Sequence, residues 1–313
     1  MDAVLAISGL VKRFGEAAVV DGLTLSVAPG EVFGLVGPDG AGKTTTMRAV
    51  AGLVRPDGGT ISVLGRDVPR EILHVRGLVG YMPQQYSLYG DLSVEENLRF
   101  FAGMYGVPRS KLLEREKRLL GIARLEEFRD RPAAALSGGM YKKLALACAL
   151  IHSPRLLLLD EPTNGVDPLS RRELWAFLGE LVAEGVAVLL CTPYMDEAGR
   201  CDRVGLLVDG RLTASGSPAD LAAAFDKTVF EIETEAPLSP AALAAAEPRI
   251  AEVYAVGRRL HAVAALGAGF APEVEHAVAR AGAKTTRVRV MRPSFEDIFL
   301  DLTRPGGARK DAP

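Results

Sequence analysis

The sequence predicts an α/β chain in two parts, a core with a long helical insertion followed by a small α+β unit. Three observations carry this prediction. Short apolar runs of strand length alternate with helical stretches up to about Asp226, one run feeds a glycine-rich turn and then a helix, and the pattern changes character after Ser217-Pro218. At 313 residues the chain has room for about two domains and a sizeable core.

Val32 to Val36 reads as a buried strand, and Lys43 to Val54 as the helix after the glycine-rich turn. Leu156 to Leu159 and Val186 to Leu190 are further apolar runs, separated by the helical stretch Arg171 to Leu181. Apolar runs joined by helices indicate a mostly parallel sheet covered on both faces. From Ser93 to Ile151 the pattern is helical, including the charged Lys111 to Arg118 and the apolar-rich Lys143 to Ile151, so a helical insertion is expected over about 86–152.

The second unit is expected over 227–304. Thr228 to Ile232, Ile250 to Val256, Leu260 to Ala264 and Arg287 to Met291 read as strands, with Pro240 to Ala246 and Glu273 to Ala281 as helices. That β-α-β-β-α-β order is the ferredoxin-like arrangement. Ser294 to Leu302 reads as a closing amphipathic helix, and 305–313 as a frayed tail.

Composition excludes several classes. A formal net charge of −2 does not favour a nucleic-acid partner, and a hydrophobic share of 48% excludes a wholly disordered chain. No apolar run approaches the roughly 18 residues of a membrane span, and Met1-Asp2-Ala3-Val4 has no basic flank of a signal peptide. A cytoplasmic chain without a direct membrane span is expected. Cys148, Cys191 and Cys201 lie far apart in apolar or helical stretches, which favours buried free thiols over a disulfide or zinc site.

Gly37-Pro38-Asp39-Gly40-Ala41-Gly42-Lys43-Thr44-Thr45 satisfies G-x-x-x-x-G-K-[ST] between a predicted strand and a predicted helix. Glycines let backbone N–H groups turn inward toward phosphate oxygens, while Lys43 reaches the β- and γ-phosphates and Thr44 offers a hydroxyl to Mg²⁺. The motif predicts ATP and Mg²⁺ as cofactors. A second element is Leu156-Leu157-Leu158-Leu159-Asp160-Glu161, in which a buried strand delivers two carboxylates at its C-terminal end. Asp160 suits the metal, and Glu161, pointing to the other side, suits activation of the attacking water.

Between these two elements stands Leu136-Ser137-Gly138-Gly139-Met140, which opens a helical stretch. It resembles the L-S-G-G-Q signature of ATP-binding cassette (ABC) proteins, with methionine in place of the usual glutamine. Ser137, Gly138 and Gly139 form an anion-binding helix start. The resemblance covers residues 1 to about 220 and implies an ABC nucleotide-binding domain over 1–226, with 227–304 as an accessory or regulatory domain.

Other family positions follow residue by residue. Phe14 matches the aromatic that stacks on adenine, Gln84 the glutamine that touches Mg²⁺ and water, with Gln85 as the register alternative, and Asp167 the aspartate loop that crosses between subunits. An Asp-Pro turn opening a helix is the plainer alternative for Asp167, and both can hold together. One position departs from the pattern: where the family places a histidine against the γ-phosphate, this chain has Pro193, which carries no donor.

The stretches Pro193 to Arg203 and Pro293 to Leu300 look like the daunorubicin-type multidrug export branch. The resemblance therefore implies the ATP-hydrolysing subunit of an exporter on the cytoplasmic face of the membrane, paired with a second cassette and a separate membrane permease. Two alternatives are a low-turnover, ATP-binding regulatory cassette in a heterodimer and a soluble non-transport ABC protein. The short spacing from Lys43 to Asp160 disfavours the second, since it leaves no room for a long coiled-coil insertion.

Overall fold

The computed structural model describes residues 3–85, 87–265 and 267–302. The expected tail 305–313, residues 303 and 304, and Tyr86 at the expected start of the insertion lie outside these. The chain forms two compact units that part after Ser217.

The first unit runs, in chain order, β1 (Leu5–Phe14), β2 (Ala17–Val27), β3 (Val32–Val36), α1 (Lys43–Val50), β4 (Gly58–Val63), β5 (Arg66–Asp67), α2 (Ile72–Arg76) and β6 (Val79–Met82). The helical insertion follows as α3 (Val94–Met104), α4 (Arg109–Ala123) and α5 (Gly138–Leu150). The core resumes with β7 (Leu156–Asp160), α6 (Pro168–Ala183), β8 (Ala187–Thr192), α7 (Met195–Ala198), β9 (Arg203–Val208) and β10 (Arg211–Gly216).

Two sheets build this unit. The six-stranded sheet has the order β10-β9-β3-β8-β7-β6 and is parallel apart from β10. Every residue of β3, β7 and β8 is buried, as expected for central strands covered on both faces. A second sheet, β2-β1-β4-β5, is antiparallel. Leu5, Ile7 and Leu10 of β1 share one core with Met47 and Val50 of α1 and with Leu35, Leu158 and Leu189 of the parallel sheet, which anchors the helix after the glycine-rich turn.

Helix α1 is shorter than the expected Lys43 to Val54. It closes at Ala51, because Gly52 enters the left-handed region at φ +67° and the chain turns there. In the insertion, Ser93 and Glu96 form a reciprocal capping box at the start of α3. Fully buried Asn97 donates to the carbonyls of Tyr89, Leu92 and Ser93 and accepts from Tyr89 N–H, fixing the segment that leads into the helix.

The second unit comprises α8 (Pro218–Ala224), β11 (Thr228–Thr234), α9 (Pro240–Ala246), β12 (Ile250–Val256), β13 (Arg259–Ala264), α10 (Ala271–Arg280), β14 (Thr285–Met291) and α11 (Phe295–Leu302). Its antiparallel sheet, β12-β13-β11-β14, has the split β-α-β order of ferredoxin-like units. Phe230, Ile232 and Leu260 of the sheet pack with Leu243 of α9 and Val274, Ala277 and Val278 of α10. Helix α8, assigned to the first unit by an expected boundary at 226, belongs to this compact unit, where it contacts α11.

Candidate nucleotide site

The turn between β3 and α1 is shaped by two glycines, Gly37 and Gly42, that no other residue could replace without displacement. A Cβ on Gly37 would lie 2.2 Å from the Leu207 carbonyl oxygen, and one on Gly42, whose φ is +102°, would lie 2.4 Å from the Val19 carbonyl oxygen. Ala41 and Gly42 are buried, whereas Pro38, Asp39 and Gly40 are exposed at the turn's outer edge. Lys43 is only 4% exposed, and its Nζ donates to the carbonyls of Gly37 at 2.8 Å and Pro38 at 2.9 Å. The ammonium therefore sits inside the turn, where an anion would meet it together with the first N–H groups of α1.

Strand β7 ends on Asp160, which is fully buried. Its Oδ1 accepts from Thr44 Oγ1 at 3.1 Å, and its Oδ2 has no hydrogen-bond partner. Burial raises the Asp160 carboxyl above the usual range; the Thr44 hydroxyl opposes that rise, neighbouring Glu161 adds to it, and Arg48 and Lys43 oppose it. A buried carboxylate with an orphaned oxygen beside a threonine hydroxyl fits a hard divalent cation such as Mg²⁺.

Directly after β7, Glu161 takes a left-handed backbone at φ +49°, while its N–H donates to the Cys191 carbonyl of β8 at 2.9 Å. Its Oε2 accepts from Gln84 Nε2 at 2.7 Å and from Asn164 Nδ2 at 3.1 Å. Lys142 Nζ of α5 donates to the Gln84 carbonyl at 3.3 Å, which ties the insertion to this glutamine. Burial lowers the Lys142 ammonium from its ordinary value, with Glu161 and Asp160 opposing.

A cleft of about 240 Å³ gathers Asp39, Gly40, Gly42, Lys43, Thr44 and Thr45 with Gln84 and Glu161. Gln85 does not line it, and neither do Phe14, Ser137, Gly138, Gly139, Asp167 or Pro193. Phe14, the last residue of β1, is 55% exposed, with Lys12 Nζ 5.3 Å from its ring centre.

Ser137 caps α5 by accepting from Met140 N–H at 3.3 Å. Gly139 lies so close to α6 that a Cβ there would be 2.2 Å from Ser170 Oγ. Asp167 caps α6 by accepting from the N–H groups of Leu169 and Ser170, both at 3.0 Å, and hydrogen bonds led by the Ser170 hydroxyl hold its carboxyl below the usual range. The signature and the Asp167 turn thus meet each other, and neither lines the cleft.

Sequence reasoning missed Val19, which lines the cleft from β2, and Asn164, which holds Glu161. Asn164 stands three positions after Glu161, so its proximity was readable, but its contact depends on the turn beyond β7.

The profile of the ABC transporter family matches residues 20–164. A Nod factor export ATP-binding protein I of Ralstonia nicotianae is 45% identical over 219 residues, covering 70% of this chain and 68% of that protein. This chain belongs to the ABC transporter family. Its ABC core is likewise 45% identical over 222 residues to a probable multidrug ABC transporter ATP-binding protein, YbhF, of Escherichia coli, covering 71% of this chain and 38% of that protein's length. The ABC fold also recurs in a solved ATP-binding subunit of an ABC transporter, with a TM-score of 0.66 and 34% identity over 71% of this chain and 93% of that one. ATP-binding proteins of this ABC family are ATPases.

Proposed function

We propose that the chain is the ATP-binding and hydrolysing subunit of an ABC exporter. The observation that carries this reading is one cleft holding Lys43, Thr44, Gln84 and Glu161, with Asp160 bonded to Thr44 beneath it. The triphosphate lies against the N–H groups of the glycine turn and Lys43. Thr44, Asp160 and Gln84 would hold Mg²⁺, which would supply charge neutralisation of the phosphates when bound. Glu161 accepts a proton from water as the water oxygen bonds to the γ-phosphorus; the bond to the bridging oxygen breaks, and ADP and phosphate result. Phe14 is proposed to stack on adenine from the edge of β1.

Pairing with a second cassette is supported by the position of Ser137, Gly138 and Gly139 outside the cleft, since these anion-binding groups are then free to serve a partner's ATP, with Asp167 beside them. A separate membrane permease fits a chain in which no helix among the described residues is long and apolar enough to cross a membrane. The exposed Tyr89 and Phe100, in edge-to-face contact at 4.5 Å on the helical insertion, suit the docking of a permease segment. The subunit would then act at the cytoplasmic face, with the second unit modulating cassette pairing. Export rather than import rests on the names of the relatives. Pro193 favours a second reading, a heterodimer in which this chain's own site turns over slowly. Calorimetric titration with ATP tests the foundation: wild type binds and Lys43→Ala does not, whereas equal affinities would refute the reading.

A further inference from the structure

The loop that lacks the family's histidine carries another polar group toward Glu161. Tyr194 follows Pro193, and its hydroxyl donates to Asn164 Oδ1 at 3.3 Å; Asn164 Nδ2 in turn donates to Glu161 Oε2 at 3.1 Å. The polarity of this chain is determined throughout. A carboxylate only accepts, so Asn164 must present its NH₂ to Glu161 and its carbonyl to Tyr194, which leaves the tyrosine as the donor.

We propose that Tyr194 is a positioning residue for ATP hydrolysis, acting through Asn164 to fix the carboxylate of Glu161. The inference rests on the hydrolytic role of Glu161 proposed above. Gln84 and Asn164 both donate to Oε2, and neither bonds to Oε1. The two amides thus lock the plane of the carboxylate and leave Oε1 to receive the proton of the attacking water. Gln84 comes from the loop before the helical insertion and also serves the metal, so the Asn164 bond is the anchor supplied by the core itself.

Tyr194 is well held for this task. Its N–H donates to Thr192 Oγ1 at 3.0 Å, which closes a turn over Pro193, and the fixed φ of the proline narrows the paths open to that loop. The Arg171 guanidinium stands 4.8 Å from the centre of the tyrosine ring. Arg171 is itself oriented by Asp196 at 3.3 Å and Glu197 at 3.9 Å, and Glu197 accepts from buried Thr163. The proline that stands where the family has a histidine therefore sits in a loop that aims a different donor at the amide holding the base.

Steady-state ATPase and nucleotide-binding measurements on the purified full chain test this. Tyr194→Phe, which keeps the ring and removes only the donor, is expected to lower kcat about 3- to 10-fold while KM for ATP, affinity for a non-hydrolysable analogue and Tm stay at wild-type values. Asn164→Ala should lower kcat at least as far, and adding Tyr194→Phe to it should bring no further loss, because the tyrosine acts only through the amide. In a Glu161→Gln background Tyr194→Phe should change nothing. A wild-type rate equal to that of Glu161→Gln would overturn the hydrolytic reading and the relay with it. A wild type that turns over with unchanged kcat in Tyr194→Phe would overturn the relay alone, as would additive losses in the double variant.

Discussion

Thr44 Oγ1 donates to Asp160 Oδ1 at 3.1 Å across a sequence separation of 116 positions. That bond satisfies one oxygen of a fully buried carboxylate and leaves the other without a partner. Burial raises the folded-state pKa of Asp160 above its ordinary value, so the ionised form at neutral pH costs stability. The cost is fully present above the folded-state pKa, shrinks as pH falls below it and vanishes below the ordinary carboxylate value.

Asp160→Asn should therefore stabilise the nucleotide-free chain, by about 2 to 4 °C in Tm for each ~1 kcal/mol recovered, while stimulation of ATP hydrolysis by Mg²⁺ is lost. Thermal unfolding without nucleotide checks the first half and ATPase titration with Mg²⁺ the second. A lower Tm would show that the folded chain stabilises the ionised carboxylate overall, contrary to the upward shift.

Gly139 and Ser170 leave no room for a side chain between α5 and α6. Gly139→Ala should cost about 1 to 3 kcal/mol through overpacking. The penalty should shrink in a Ser170→Gly background, which removes both contacting atoms. A double-mutant cycle by denaturant unfolding measures the coupling, and purely additive effects would contradict the close approach.

Much of this arrangement is legible from sequence because it is local. The glycine turn, Lys43 and the acidic end of β7 are contiguous motifs whose residue types state their chemistry. The antiparallel sheet of β1, β2, β4 and β5 is not legible in the same way, since its register shifts around Leu10 and Arg13 break the alternation that marks a strand. Nor is the tie from Tyr194 to Glu161, which requires β7 and β8 to lie side by side. That the signature does not line its own cleft is a property of topology, and no spacing within the chain expresses it.

Among the described residues, none of the second unit is in the cleft's lining, and the unit has its own core. A chain ending at Ser217, where the first unit ends, should bind ATP with the affinity of the full chain while losing normal transport in cells. Calorimetry and a transport assay check the two halves, and unimpaired transport would contradict the proposed modulatory role.

On the proposed reading, Pro193, which supplies neither a side-chain donor nor an N–H, leaves this chain's own site without one hydrogen bond to the γ-phosphate. A hydrogen bond to a charged group contributes roughly 1.5 to 3 kcal/mol, or about one to two orders of magnitude in rate if it forms fully in the transition state. Pro193→His should raise the steady-state ATPase rate of the purified chain toward that gain. An unchanged rate would show that this loop does not limit turnover.

On the proposed reading, two cassettes close around ATP, each completing its partner's site with Ser137, Gly138 and Gly139. Sedimentation of the Glu161→Gln variant tests this, because the variant should hold ATP without consuming it. A monomer is expected without nucleotide, a dimer at saturating ATP, and a return to monomer when Ser137→Arg is added. A chain that binds ATP and stays monomeric would contradict it.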